Sequence, residues 1–208
     1  YKVYQEYNVE LPLAEIFKNI TLAELADYIR GANSSSDSTH IEPAAEREFY
    51  PQSSAQRRMF LLNQLQRNTT SYNIPVVLSL QGKVDKQRLE NVIGVLVDRH
   101  ELLRTTFEVH NNETVQKINN DIKFTLKSTT AHAGEIEQRI EQFVQPFDLS
   151  LAPLFRAELI QLAEDQYILM IDMHHIISDG VTVTIMVREF MELYRGNQLS
   201  PLNVQYKD

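Results

Sequence analysis

The sequence predicts a mixed α/β fold, because segments with helical periodicity alternate with strand-like segments along most of the chain. Turn signals also join neighbouring strand-like segments into hairpins, so the sheet is predicted to be mixed, with flanking helices. The chain has 208 residues, of which 43% are hydrophobic, and this is enough for one good core or for one domain with part of another.

The first predicted element is helical and covers residues 13–30. Apolar residues recur there at three- and four-residue steps, and Thr21 with Glu24 fits a capping box. The next stretch, "GANSSSDST" at residues 31–39, is small, polar and without periodicity, which is typical of a flexible linker. The opening "YKVYQEY" has the character of mid-domain sequence, so we expect a piece of a longer protein. The predicted divisions are residues 1–30, a linker over 31–47, and a longer mixed segment over 48–208.

The first half of the longer segment predicts two helices, a strand and a hairpin. One helix is expected to begin near Ser53 or Ser54. Residues 73–82, "NIPVVLSLQG", are β-branched, apolar and closed by a glycine, which is typical of a strand. Residues 85–100 place five apolar side chains on one face of a helix. Alternation on both sides of Asn111–Asn112 predicts a hairpin there.

The second half of this segment predicts a helix, two strands and a final helix. Residues 134–145 are amphipathic at helical spacing. Two apolar strands then flank a short polar turn at Ala163–Gln166, and the second of them, "YILMID", is apolar enough to be central in a sheet. Residues 181–197 repeat apolar side chains at helical spacing, and Gly196 is the expected stop.

Composition excludes several classes of function. The net charge is −8, which argues against a nucleic-acid partner because binding phosphates needs a basic surface. The chain has no cysteine, so it has neither disulfides nor thiolate metal sites, and a reducing compartment is permitted. No apolar run has the length of a membrane span and no signal peptide opens the chain, so we expect a cytoplasmic protein without a membrane partner.

The stretch "MHHIISDG", Met173–Gly180, carries the candidate chemistry. Neighbouring side chains on a strand point to opposite faces, so two adjacent histidines are a poor pair of ligands for one metal ion. Ser178 follows His175 by three residues, but no G-x-S-x-G elbow accompanies it, which disfavours a serine triad. The six glycines are scattered, and they form neither a phosphate loop nor a dinucleotide fingerprint.

Two interpretations of the histidine pair stay open at this point. Each histidine can be a satisfied core residue, and Asp179-Gly180 can be a turn or a helix cap. The pair also lies where a buried strand emerges, which is a usual place for active-site residues. In that interpretation one histidine acts as a base while the other packs beneath it. Neutral imidazole, with a pKa of about 6.5, suits removing a proton from an amine or a hydroxyl.

Three stretches resemble, in order, the motifs of the condensation domains of nonribosomal peptide synthetases. "SSAQRRMF" at Ser53–Phe60 is similar to S-x-A-Q-x-R-[LM]-[WYF], and "RHELLRTTF" at Arg99–Phe107 is similar to R-H-x-x-L-R-T-x-F. Met173–Gly180 is similar to H-H-x-x-x-D-G, and the final "PLNVQYKD" resembles the start of the next motif. The resemblance covers residues 48–208, about the first half of such a domain. It implies a chloramphenicol acetyltransferase-like lobe.

The first 30 residues resemble a different domain of the same synthetases. "VELPLAEIFKNITLAELADYI" is similar to the last part of a peptidyl carrier domain, after its phosphopantetheine serine. The resemblance implies a short helical carrier-domain remnant before the condensation lobe. The chain shows no match to the carrier's attachment motif, so no cofactor-binding residue is assigned in it.

The resemblance implies a role for each residue of the histidine motif. His175 is implied to be the residue of peptide-bond formation, either as the base for the attacking amine or as the group that positions it. His174 is implied to pack and to hydrogen-bond inside the fold. Gly180 is implied to permit close approach of the substrate.

The motif aspartate, Asp179, is implied to be structural and ion-paired with an arginine of the second motif. Arg99 is the first candidate for this partner and Arg104 is the second. A buried carboxylate needs such a partner. The alternative for Arg99 is a solvated charge favoured by the dipole at a helix C-terminus.

The implied reaction is acyl transfer between two thioesters, in which an amine on an acceptor carrier attacks an acyl or peptidyl group on a donor carrier. Both substrates are implied to ride on 4'-phosphopantetheine arms of the carriers, with adenylation domains of the same synthetase as further partners. In this family the active site lies between two similar lobes, so one lobe is expected to be an incomplete catalyst. A coenzyme A-dependent acyltransferase of the same fold and a non-catalytic docking or scaffold lobe are the alternatives.

The motif wording also separates subtypes of the family. "HHIISDG" and "SSAQRRMF" look more like a domain that joins L-configured donors than an epimerisation domain. A cyclisation domain is disfavoured because it carries aspartates where this chain has His174 and His175.

Overall fold

The structure is a computed structural model that describes residues 2–7, 9, 11, 13–18, 21–31, 41–66 and 68–208. It divides into two compact units, residues 1–42 and 43–208. The first unit contains the short helices α1 (Lys2–Tyr7), α2 (Leu13–Lys18) and α3 (Leu22–Gly31).

The predicted capping box in the first unit is confirmed. The Glu24 N–H donates to Thr21 Oγ1 at 3.2 Å, and the Thr21 N–H donates to Glu24 Oε2 at 3.0 Å. The helix predicted over residues 13–30 is therefore present as two helices, with residues 19–20 outside the described residues. Most of the predicted linker, residues 32–40, also lies outside them.

The second unit alternates helices and strands as the sequence predicts. Its elements in chain order are β1 (Tyr50–Pro51), α4 (Ser54–Leu65), β2 (Asn73–Gln81), α5 (Lys86–Arg99), β3 (Thr105–His110), β4 (Glu113–Ile118), β5 (Lys127–Thr130), α6 (Ile136–Phe143), β6 (Phe155–Ala163), β7 (Gln166–His174) and α7 (Gly180–Arg195). Short 3-10 turns cover Glu101–Arg104, Ala133–Glu135 and His175–Ile177.

The larger sheet among the described residues has four strands in the order β2-β7-β6-β5. Strand β7 pairs antiparallel with both β2 and β6, and β5 pairs parallel with β6, so the sheet is mixed and β7 is central. The predicted central position of "YILMID" is confirmed. Residues on both faces of β7 are buried, and a strand buried on both faces needs a nearly continuous apolar run.

A smaller antiparallel sheet joins β1, β4 and β3. The predicted hairpin is confirmed, because Asn111 and Asn112 connect β3 to β4 with φ angles of 50° and 65°. Positive φ at both central residues is the requirement of a type I′ turn, which asparagine tolerates better than most residues.

The main core lies between one face of the larger sheet and the helices α5 and α7. Odd-numbered side chains of β6 and β7 point into it, since alternate residues of a strand share a face. Leu159 is fully buried in this core. Even-numbered positions, including Asp172 and His174, therefore lie on the other face of β7. The five side chains predicted on one face of α5 are all buried: Leu89, Val92, Ile93, Leu96 and Val97.

Helix α7 begins and ends with residues suited to those positions. Asp179 is its N-cap, and Gly196 follows it in the left-handed conformation with φ 91°. Few residues other than glycine adopt that conformation without strain, so the predicted stop at Gly196 is confirmed. Helix α6 is shorter than the predicted 134–145, because a 3-10 turn over Ala133–Glu135 precedes it and the helix ends at Phe143. No helix within the described ranges is long and apolar enough to cross a membrane.

Candidate active site

The histidine motif lies where the central strand β7 ends and the chain turns into α7. The strand stops at His174, and a 3-10 turn over His175–Ile177 follows at once. The His174 N–H donates to the Leu154 carbonyl at 3.0 Å and the His175 N–H donates to the Tyr72 carbonyl at 2.8 Å. Ile176 and Ile177 are buried. The turn is therefore fixed to the core on both sides, while His175 stays exposed.

The His175 ring is held by one hydrogen bond that decides its tautomer. Its Nδ1 lies 2.6 Å from the Ser178 carbonyl oxygen. A carbonyl oxygen only accepts, so Nδ1 carries the proton and donates a hydrogen bond to the Ser178 carbonyl. In the neutral ring the free lone pair is then on Nε2, which has no hydrogen-bond partner among the described residues. This is the tautomer in which Nε2 can act as a base.

The His174 ring has the opposite arrangement. The Ile176 N–H donates to His174 Nδ1 at 3.0 Å, so this nitrogen is unprotonated and the proton of the neutral ring lies on Nε2. The ring is 1% exposed and lies between Tyr72 and Phe147, at centroid distances of 6.1 and 6.2 Å. Burial, and to a lesser extent the neighbouring His175, lowers the pKa of His174 to about 4. The buried ring with its lowered pKa is therefore neutral near pH 7, and its Nδ1 is hydrogen-bonded inside the fold.

Asp179 caps the helix that follows the motif. Its Oδ1 accepts the Thr182 N–H and the Thr182 hydroxyl, both at 2.8 Å. These hydrogen bonds from Thr182 lower the pKa of the Asp179 carboxyl below its usual value. Gly180 is the first residue of α7, and the space beside its Cα is open to beyond 4 Å.

The arginine pairing implied for Asp179 needs correction. Asp179 is exposed, and neither Arg99 nor Arg104 contacts it. Arg104 instead donates to Asn120 Oδ1 at 2.7 Å, on the loop after β4. The helix cap already satisfies the Asp179 carboxylate in solvent, so this carboxylate has no need of a buried counter-charge.

Arg99 instead pairs with Glu189, a buried residue of α7. Arg99 Nε lies 3.1 Å from Glu189 Oε2, and His100 Nε2 lies 2.7 Å from the same oxygen. Burial acts to raise the pKa of Glu189, and the hydrogen bonds from His100 and Arg99 outweigh it, so the pKa lies below its ordinary value. The sequence carried a signal for this, because Glu189 interrupts the apolar face of the predicted last helix.

A pocket of about 390 Å³ opens beside His175. It is lined by the turn that carries the motif, by one side of α4, and by residues that sequence reasoning did not assign, among them Tyr72, Gln56, Arg58 and Tyr206. Gln56 and Arg58 belong to the stretch "SSAQRRMF", and the family resemblance of that stretch implies no role for either residue. His175 is thus open to a cleft and is not sealed in the interior. The described residues contain no group of three or more potential metal ligands.

Comparison with known proteins places this geometry in a family. A family model described as "Condensation domain" matches residues 46–208. The sequence is 44% identical to gramicidin S synthase 2 of Aneurinibacillus migulanus over 207 residues, which is 100% of this chain. The chain spans 5% of the length of that synthase.

Solved structures share the fold. The X-domain from teicoplanin biosynthesis matches with a TM-score of 0.72 and 27% identity, over 80% of this chain and 38% of that chain. The starter condensation domain of rhizomide synthetase RzmA matches with a TM-score of 0.63 and 22% identity, over 75% of this chain and 40% of that chain. The predicted α/β, chloramphenicol acetyltransferase-like lobe is confirmed by these matches.

Proposed function

The chain belongs to the condensation-domain family, and we propose that it forms peptide bonds in nonribosomal peptide synthesis. The amine of an aminoacyl group on an acceptor carrier attacks the thioester carbonyl of an acyl or peptidyl group on a donor carrier. The observation that carries this proposal is His175, which is exposed to the pocket with its proton fixed on Nδ1 and its lone pair on Nε2.

The tautomer of His175 fits the proton transfer that this reaction needs. As the nitrogen bonds to the thioester carbon, the amine becomes acidic, and Nε2 accepts its proton or holds the amine in position by a hydrogen bond. Nδ1–H keeps its hydrogen bond to the Ser178 carbonyl, which stabilises the imidazolium formed. Collapse of the tetrahedral species breaks the carbon–sulfur bond, and the imidazolium returns the proton to the leaving sulfur. The products are an amide and a free thiol.

The residues near His175 support direct attack without an acyl-enzyme. The chain has no cysteine. The hydroxyl of Ser178, the nearest serine in sequence, is buried and donates to the His174 carbonyl at 3.2 Å, so it is committed to the turn. Its backbone carbonyl already holds the His175 ring. The substrate amine is therefore the nucleophile that we propose His175 to activate.

The implied cofactor is the 4'-phosphopantetheine of the carriers, which supplies each acyl group as a thioester with a thiol leaving group. The pocket fits the end of such an arm, because it is open and combines apolar side chains such as Met59 and Leu102 with polar groups. We propose residues 1–30 as the end of one carrier domain, with adenylation domains of the same synthetase supplying the activated amino acids.

The test is a single-turnover condensation assay on the full-length native protein with loaded donor and acceptor carriers. His175→Ala is expected to lower the rate by roughly 10²–10⁴-fold, the usual contribution of a general base. His132→Ala removes an exposed histidine before α6 and is expected to leave the rate unchanged.

Two outcomes would redirect the proposal. An unchanged rate in folded His175→Ala would favour a docking or scaffold lobe. Transfer from free coenzyme A thioesters at the rate of carrier-bound donors would favour a coenzyme A-dependent acyltransferase.

A further inference from the structure

We infer that the side-chain amide of Gln56 is a substrate-binding group of this pocket, donating a hydrogen bond to a carbonyl oxygen of the bound acyl chain. The inference rests on the proposed function and adds a binding residue to it. Three features of Gln56 point to this role: the orientation of its amide, the lack of an acceptor for its nitrogen, and its place beside His175.

The orientation of the Gln56 amide is fixed by a capping box at the start of α4. The Gln56 N–H donates to Ser53 Oγ at 3.3 Å, and the Ser53 N–H donates to Gln56 Oε1 at 3.0 Å. Since the carboxamide is planar and its oxygen is committed to Ser53, its nitrogen must point away from the helix cap.

The nitrogen of this amide is left without an acceptor. Gln56 is 1% exposed, and its Nε2 is buried with no hydrogen-bond partner in the part of the chain that the structure describes. A carboxamide nitrogen carries two N–H donors, and burying them unpaired costs free energy that folding must offset. Native proteins rarely leave such a group unsatisfied, so each exception calls for an explanation, such as a bound ligand or water.

The position of Gln56 beside the pocket points to a ligand as the missing acceptor. Gln56 lines the same pocket as His175, which presents an acceptor at Nε2. A pocket with one base and one neutral donor is complementary to an amine and a carbonyl, the two reacting groups of the proposed reaction. Asp179, the carboxylate among the residues that line the pocket, already accepts two hydrogen bonds from Thr182 at its Oδ1.

The chemistry of the cap supports a purpose beyond capping. Glutamate closes the same box as glutamine, and its negative charge also favours the helix N-terminus. The cap therefore does not require glutamine at position 56. Only glutamine, and not glutamate, also provides a neutral N–H donor on the buried side of the pocket.

The experiment measures binding to the full-length native protein by titration calorimetry, without turnover. Two stable analogues of an acyl pantetheine thioester serve as probes. In the first, a methylene replaces the sulfur and the carbonyl is kept. In the second, the carbonyl is also replaced by a methylene. The wild-type protein is expected to bind the first probe roughly 10–100-fold more tightly, the usual worth of a hydrogen bond to a buried donor.

The variants separate donation from capping. Gln56→Glu keeps the acceptor for Ser53 and removes the donor, and Gln56→Met removes both. Each is expected to lose the preference for the carbonyl probe, with the affinity for the second probe unchanged. Ser53→Ala weakens the same capping box with the donor intact, so it is expected to keep the preference.

The outcomes that overturn the inference are distinct. If the Gln56 variants still prefer the carbonyl probe, or lose affinity for both probes equally, Gln56 only supports the fold. A wild-type protein that binds neither probe, or both alike, would also overturn it. Because no step of the chemistry is measured, a failure of His175→Ala to affect condensation would count against the proposed function and leave this result standing.

Discussion

His174 and His175 are neighbours in sequence, but their rings have opposite hydrogen-bonding roles at Nδ1. His174 is buried on β7 and accepts the Ile176 N–H at Nδ1. His175 is exposed on the following 3-10 turn and donates from Nδ1 to the Ser178 carbonyl. The first ring therefore has its free donor at Nε2 inside the protein, and the second has its free acceptor at Nε2 in the cleft.

The backbone at the end of the strand determines this difference between the two rings. A donor N–H of the turn faces one ring and an acceptor C=O faces the other, and each fixes a tautomer. His174 then acts as the cap of the turn, and the turn presents His175. We therefore expect the buried histidine to act as a positioning residue for the exposed one, although both carry the same side chain.

Removing the buried ring is expected to have the largest effect on stability. His174→Ala is expected to lower the free energy of unfolding by about 3–4 kcal/mol, because a fully buried ring leaves a cavity and the Ile176 N–H loses its acceptor. His175→Ala, at an exposed position, is expected to change it by less than about 0.5 kcal/mol. Urea denaturation of both variants measures the two values. Equal losses would mean that the two rings do not differ in structural role.

The buried ring is also expected to make the stability of the protein depend on pH. The pKa of His174 is about 4 in the folded protein and about 6.5 when it is unfolded, so the unfolded state binds more protons between these values. Stability is therefore expected to fall by about 3 kcal/mol as the pH decreases from 6.5 to 4, at about 1.4 kcal/mol per pKa unit.

The variants identify the group responsible. His175→Ala is expected to keep this pH dependence, and His174→Asn, which has no titrating group, is expected to lack it. Thermal or urea unfolding measured at intervals of pH gives the slopes. A wild-type slope that survives in His174→Asn would assign the titration to another residue.

Much of the fold could be predicted from the sequence because its long elements have strong periodicity. The apolar face of α5 and the apolar run of β7 each report burial directly, and the two asparagines report a turn that few residues tolerate. The strands β1 and β5 were not predicted. The first has two residues, and the second is the polar stretch "KSTT", so both exist through pairing with distant strands.

The site was predictable in part for the same reason. The end of a central strand indicated where His175 would emerge, but a tautomer depends on which backbone group faces the ring, and periodicity does not report that. The partner of Arg99 was misassigned because charge alone does not say which carboxylate lies opposite. Glu189, 90 residues away, was brought there by the packing of α5 on α7.

The smallest predicted effect concerns Asp179, which is either an exposed helix cap or one partner of a buried ion pair. If Asp179 is an exposed helix cap, Asp179→Ala is expected to lower the free energy of unfolding by about 1 kcal/mol. Asparagine also caps helices, so Asp179→Asn is expected to lose little of this stability. A buried carboxylate paired with Arg99 would instead cost about 3–5 kcal/mol when broken. A double-mutant cycle with Arg99→Ala measures the coupling directly, and a helix cap predicts a value near zero. A large coupling would place Asp179 in a charge network with α5, and the cap would then be secondary to that pair.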